Sequence, residues 1–220
     1  MIKFLEQINN EFKDIKALDM SLLENKKEIT KDNTTIIVVD MVKGFYNEGP
    51  LQNEKVKEII NPMINFLTKV KDYNKIFFID SHEEKSVEFS SYPAHCICGT
   101  SESDIIDELV NFAQDKNSIT IRKNSINGFH STKFQEWIKN NEDIKNYIIV
   151  GVCTDICVKT LAISLKTYFN EVNQYKKIIV PKNMVETYDA PFHNREFNNL
   201  ISFYEMKNNG IEVVKEIICD

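Results

Sequence analysis

Glycine and proline are scarce, at six and five residues in 220, and neither gathers into a linker. No low-complexity stretch and no repeat with a period of about 20–50 residues interrupts the chain, so it reads as one domain. Long apolar runs are missing as well. No window approaches the ~18 consecutive apolar residues of a membrane span, and the opening MIKFLEQINNEFKDIK has neither an apolar centre nor a small-residue cleavage site. A cytoplasmic protein with no membrane partner is expected. Positive charge is in deficit, with 27 Lys and Arg against 33 Asp and Glu and a net charge of −6. A surface built for nucleic acid has the opposite balance, so none is expected as a partner. The five cysteines (Cys96, Cys98, Cys153, Cys157, Cys219) are an odd count that resists a fully paired disulfide framework. In a reducing compartment they serve rather as thiols, ligands or nucleophiles. Hydrophobic residues, by contrast, make up 42% of the chain. A chain of this length buries about 70–75% of its unfolded surface and needs no staple.

Six short β-branched runs stand out: TTIIVV at 34–39, KIFFI at 75–79, SITI at 118–121, YIIVGV at 147–152, KIIV at 177–180 and IEVV at 211–214. Each is nearly continuous in apolar character, as strands covered on both faces of a parallel sheet are. Helical spacing lies between them, in Ile59, Met63, Phe66 and Val70, in Ile105, Leu109 and Phe112, and in Leu161, Leu165 and Tyr168. Alternating strands and helices predict an α/β fold, a three-layer α/β/α sandwich around a mostly parallel six-stranded sheet, Rossmann-like in plan. Leu5, Ile8, Phe12 and Ile15 fall on one helical face, so residues 1–33 read as an amphipathic helical extension laid on a body formed by 34–220.

Open parallel sheets bind ligands beyond the carboxyl ends of their strands. At those ends the sequence carries Asp40, then Asp80 with His82, then Arg122 and Lys123, then Cys153, Asp155 and Cys157. Acid, base, thiol and imidazole therefore meet on one rim. Cys157 is the candidate nucleophile: Thr154 or Asp155 caps the following helix, placing the thiol in its first turn, where the helix dipole and a nearby lysine favour thiolate. Asp80 and His82, two residues apart as they leave a strand, face one ion, and His95 returns through the loop as a third ligand. One carboxylate and two imidazoles suit zinc, iron(II) or manganese(II) with positions left open. Glu88 is a candidate fourth ligand or an acceptor behind the ligands. His130 and His193 read as loop or cap residues. A structural zinc site on Cys96, Cys98, Cys153 and Cys157 is disfavoured, because C-x-C departs from the usual C-x2–4-C spacing.

Four segments, in order, resemble the isochorismatase-like cysteine hydrolases and among them the nicotinamidases. VVDMVKGFYNEGPL is similar to a D-x-Q-x-D-F…G-x-L motif, aligning Asp40 with the catalytic aspartate. DSH followed by YPAHCICGT resembles the D-x-H…W-P-x-H-C-x-x-G-T metal loop. IRKNSINGFHST resembles the lysine motif and aligns Lys123, and VGVCTDICV resembles G-V-A-T-D-Y-C-V and aligns Cys157. Val42, Gly44, Tyr92, Cys153 and Ile156 depart from the pattern, most of them at positions that line or border the substrate pocket in the family.

The resemblance implies hydrolysis of nicotinamide to nicotinate and ammonia, feeding NAD salvage, through a thioester on Cys157. Asp40 would move the proton and Lys123 would hold charge beside both. Asp80, His82 and His95 would carry the metal, zinc first. Phe45 and Tyr92 would flank the ring, and the backbone of Cys153, after a cis bond, would meet the oxyanion. Self-association is common in such proteins, so a homo-oligomer is expected, with a small-molecule amide as partner. Two alternatives stay open: a metal-free cysteine hydrolase of carbamoyl or ureido compounds on the same fold, and a non-catalytic thiol-based interaction protein.

Overall fold

In the computed structural model, which describes residues 2–219, the chain runs α1 (Ile2–Lys13), β1 (Leu18–Asp19), α2 (Met20–Asn25), β2 (Thr34–Val39), α3 (Lys43–Tyr46), α4 (Lys57–Lys69) and β3 (Asn74–Asp80). It continues through α5 (Val110–Ala113), β4 (Ser118–Lys123), α6 (Thr132–Asn140), β5 (Asn146–Val152), α7 (Lys159–Glu171) and β6 (Lys177–Pro181). It ends with β7 (Val185–Glu186), α8 (Arg195–Asn208), β8 (Glu212–Val214) and β9 (Ile217–Ile218). The main sheet is parallel throughout in the order β4-β3-β2-β5-β6-β8. All six expected strands are present. A short seventh, β7, pairs with the last two residues of β5. It is needed because β6 pairs only as far as Ile148 and then ends at Pro181, which has no N–H to extend the ladder.

Every residue of β2 and of β5 is buried, and alternate residues serve opposite layers. Ile36 and Val38 pack with Met63, Phe66 and Leu67 of α4. Ile37 and Val39 pack with Leu161 and Leu165 of α7 and Phe203 of α8. Two covered faces explain why the sequence showed unbroken apolar runs rather than alternation. The stretch holding Ile105, Leu109 and Phe112 departs from the single helix expected. It divides into a 3-10 turn at Asp107–Leu109 and the four-residue α5, because Ile105 instead bridges to Val42 and Ile106 N–H donates to the Met41 carbonyl at 3.1 Å.

Before β2, Ile8 and Phe12 of α1 are buried beside Phe203 and Met206 of α8, with the Phe12 and Phe203 rings 6.0 Å apart. Lys182 donates to the Phe12 carbonyl at 2.7 Å, favourable for a cation at a helix C-terminus. The segment also contains β1, unmarked by any run in the sequence, which pairs with β9.

The junction of β2 and β5 admits no side chain at Gly151. Its φ is +117°, and a Cβ there would lie 2.1 Å from the Val39 carbonyl oxygen and 2.8 Å from the Val39 nitrogen. Both neighbours are backbone of the central strand and cannot yield. Gly151→Ala is therefore expected to destabilise the fold by at least about 3 kcal/mol, read as a lower midpoint in urea unfolding. An unchanged midpoint would show that the two strands part freely.

Candidate active site

Four strand ends build one site. In parallel register Asp80 sits opposite Lys123, so their side chains leave the same face, and Lys123 Nζ lies 2.7 Å from Asp80 Oδ1. Asp40 follows β2 directly. Its φ of 52° is the left-handed conformation that aspartate tolerates better than most residues, and it leaves the side chain wholly buried 2.8 Å from Lys123 Nζ. Past β5, the Val152–Cys153 bond is cis, and residues Thr154–Val158 form a widened turn in which Val158 N–H reaches the Cys153 carbonyl at 3.1 Å. Such five-residue turns recur at functional sites. This one directs Cys157 Sγ to 3.8 Å from Lys123 Nζ. Neither Thr154 nor Asp155 caps the turn. Cys153 is its first flanking residue, without a side-chain capping bond, because the Asp155 carboxylate is engaged elsewhere.

The electrostatics centre on one ammonium between two carboxylates. Burial raises the Asp40 carboxyl to about 7, aided by the charge of Asp80 and opposed by Lys123. Burial works on Asp80 in the same sense, but Lys123, followed by the two imidazoles, holds it well below the usual carboxylate range. Lys123 is kept charged against its own burial by both acids. The Cys157 thiol is raised well above its ordinary value, by burial first and the two carboxylates next, with Lys123 the opposing influence. Burial and the two carboxylates, which the helix-dipole argument did not weigh, favour the neutral thiol over the thiolate. The neutral thiol faces Asp40, whose Oδ1 is buried and lacks a fully formed hydrogen bond among the described residues.

Beside this group, one ligand atom from each of Asp80, His82 and His95 falls within 4.8 Å of the others. His82 N–H donates to the Cys96 carbonyl at 2.9 Å and the His82 carbonyl accepts Cys98 N–H at 2.8 Å, and this strand-like bridge brings the loop, with His95, back to the sheet. His95 Nδ1 lies 2.7 Å from the Pro93 carbonyl and His82 Nδ1 lies 3.2 Å from Asn124 Oδ1. Both acceptors favour a proton on Nδ1, which leaves Nε2 of each ring, 3.0 and 3.1 Å from Asp80 Oδ2, as the atom that could offer a lone pair to an ion shared with Asp80. Three lone-pair atoms facing one another are stable around a cation, and these residues fit a divalent metal. Glu88 Oε1 is buried without a hydrogen-bond partner among the described residues. It lies 3.6 Å from His82 Nε2, while Oε2 accepts Ile126 N–H at 2.9 Å. Cys96 and Cys98 take no part in any metal cluster among the described residues.

Asp80, His95 and Cys157 open onto a cavity of about 470 Å³ whose walls include Phe45, Tyr92, Cys153 and Ile156. Phe45 is buried with its ring 5.7 Å from His95, and the half-buried Tyr92 ring lies 6.3 Å from the same imidazole. Gly44 has no room for an acid: a Cβ there would lie 2.5 Å from Cys96 Sγ and 3.0 Å from the Glu102 carbonyl. Sequence reasoning missed Phe89, 5.3 and 5.7 Å from the two imidazoles, and Asn124. It also missed the wall formed by Tyr188, Asp189, Ala190 and Phe192. That segment follows β7, so the strand-end rule would have reached it had this two-residue strand been visible. His193 stays in the loop before α8, with Nε2 2.9 Å from Asp155 Oδ2. His130 stays in a loop, 3.3 Å from Asn127.

The sequence profile of the isochorismatase domain family matches residues 34–206. Nicotinamidase 1 of Arabidopsis thaliana is 29% identical over 210 residues, covering 83% of this chain and 85% of the plant protein. Among solved structures, the pyrazinamidase/nicotinamidase of Streptococcus mutans superposes with a TM-score of 0.71 at 23% identity over 82% of this chain and 99% of its own. The zinc complex of the pyrazinamidase of Pyrococcus horikoshii gives 0.67 at 23%, over 83% and 98%. No helix among the described residues is long and apolar enough to cross a membrane. With the profile spanning most of the chain and the thiol, lysine and acids meeting at its strand ends, the chain belongs to the isochorismatase family of hydrolases, and within it resembles the nicotinamidases.

Proposed function

We propose that this protein hydrolyses the carboxamide of nicotinamide to nicotinate and ammonia through a thioester on Cys157. The observation that carries the reading is Lys123 Nζ at 2.8 Å from Asp40, 2.7 Å from Asp80 and 3.8 Å from Cys157 Sγ, with Asp80 and Cys157 lining an aromatic-walled cavity. Likeness to a plant nicotinamidase supports the choice of amide. The Asp80, His82 and His95 cluster favours it over the metal-free carbamoyl reading.

Asp40 takes the thiol proton as sulfur attacks the amide carbon. Its carboxyl near 7 suits it to accept and return a proton at neutral pH. The backbone N–H groups of Cys153 and Cys157 receive the oxyanion, a contribution of about 3–4 kcal/mol per donor in other hydrolases. Asp40 then protonates the nitrogen, the C–N bond breaks and ammonia leaves. Water adds to the thioester with Asp40 again accepting its proton, nicotinate departs, and the thiol is restored. Lys123 keeps Asp40 and Asp80 from repelling one another throughout. Phe45 and Tyr92 flank the ring. Asp80, His82 and His95, with Glu88 beside them, would hold a divalent ion, zinc by donor type, which would supply a Lewis-acidic anchor for the substrate ring.

The test pairs metal analysis with ammonia release over nicotinamide, pyrazinamide, biuret and a ureido acid. About one equivalent of zinc and turnover of the ring amides alone are expected. His82→Ala should lose the metal and raise KM about tenfold or more. Release from the carbamoyl compounds and none from nicotinamide would discard the reading.

A further inference from the structure

The outer wall of the cavity is a strap, residues 187–194, joining β7 to α8. Tyr188, Asp189, Ala190 and Phe192 face the same space as Cys157. Apolar burial does not hold this wall: Asp189, Pro191 and Phe192 are exposed, Phe192 almost completely at 96%. Polar pins hold it instead, and they converge on one side chain. Asp155 Oδ1 accepts the Thr187 hydroxyl at 2.5 Å, and Asp155 Oδ2 lies 2.9 Å from His193 Nε2. One carboxylate thus grips both ends of the strap. His193 is fixed from its other side, with Nδ1 3.0 Å from the Tyr188 carbonyl and its ring stacked on Tyr188 at 3.7 Å and 14°. Ala190 and His193 exchange backbone hydrogen bonds of 3.0 and 2.9 Å, closing the strap on itself. Asp155 stands in the widened turn two residues before Cys157, so the pins tie the wall to the segment that carries the nucleophile.

We propose that Asp155 and His193 are positioning residues: together they latch the 187–194 strap against the turn bearing Cys157 and so set how tightly the cavity holds a flat aromatic amide. Neither takes part in bond breaking. His193 works through Tyr188, whose ring it stacks against, and Asp155 works through both strap ends. The choice of amide rests on the function proposed above; the latch itself does not.

The experiment follows two readouts in the full-length, metal-loaded protein. For His193→Ala, KM for nicotinamide should rise tenfold or more while kcat stays within about threefold, the pattern of lost binding rather than lost chemistry. Alkylation of Cys157 by iodoacetamide, followed site by site by peptide mass mapping, should quicken about tenfold as the wall loosens, with zinc content unchanged. His193→Gln, which keeps a donor toward Asp155, should recover much of both effects. Asp155→Asn combined with His193→Ala should change KM no more than the worse single variant, because the two act as one unit. A fall in kcat at constant KM, or independent addition of the two effects, overturns the latch. If the wild-type protein leaves nicotinamide untouched, the functional reading falls. The Cys157 alkylation rates then decide the latch alone: faster in His193→Ala upholds it, equal rates reject it.

Discussion

Cys157→Ala is expected to lower amide turnover by about 10⁴-fold or more while the protein keeps its fold and metal. The size of the effect follows from covalent catalysis: Cys157 is the thiol in contact with Lys123, and residues acting as a unit fail together when one is removed. A loss of that size is about 5.5 kcal/mol of barrier. The fold should tolerate the change because alanine removes only a small side chain from the cavity floor. The metal should remain because its ligands, Asp80, His82 and His95, are untouched. Cys157→Ser is a sharper probe. A hydroxyl is a weaker acid than the thiol, and Asp40, at about 7, is too weak a base to strip it. Turnover within tenfold of wild type in either variant would mean that another group attacks the amide.

Lys123→Met is expected to damage stability and chemistry together. The ammonium is buried between Asp40 and Asp80. Removing one member of a buried charged group leaves its partners without compensation, a cost of about 3–5 kcal/mol. At roughly 2–4 °C per kcal/mol for a domain of this length, the melting temperature should drop by about 10 °C. Activity should fall about 10³-fold or more, because Asp40 and Asp80 would then resist being charged side by side and Asp40 would stay protonated, unable to take the thiol proton. Lys123→Arg separates the two roles. It keeps the charge, so much of the stability should return, yet its planar fork cannot occupy the compact point between two carboxylates and sulfur. Calorimetry and ammonia release on both variants decide the matter. A Met variant as stable as wild type would show that the carboxylates do not need the ammonium.

The strand runs were legible because both faces of the central strands are covered, which keeps their middles apolar. Asp40, Asp80, Lys123 and Cys157 were legible for a related reason: polar residues reappear where a covered strand ends. Less visible were features decided by tertiary contact. β1, β7 and β9 are two residues each, too short for a periodic signal. The cap expected from Thr154 or Asp155 was a local inference, and it was overridden when residues some 30 to 40 positions later claimed the Asp155 carboxylate. The thiolate expectation was likewise a local inference, since helix position says nothing of burial or of the carboxylates opposite the sulfur. His193 is the loop residue it was read as, and its bond to Asp155 was not legible because that partner precedes it by 38 positions.

The place of β2 in the sheet order carries a last consequence. Asp80 and Lys123 come from the strands on one flank of β2, Cys157 from the strand on the other, and Asp40 from β2 itself. Along the chain the sulfur comes last of the four. An unfinished polypeptide on the ribosome therefore holds acids and an ammonium but no weapon, and cutting power arrives only when the second flank zips onto the first.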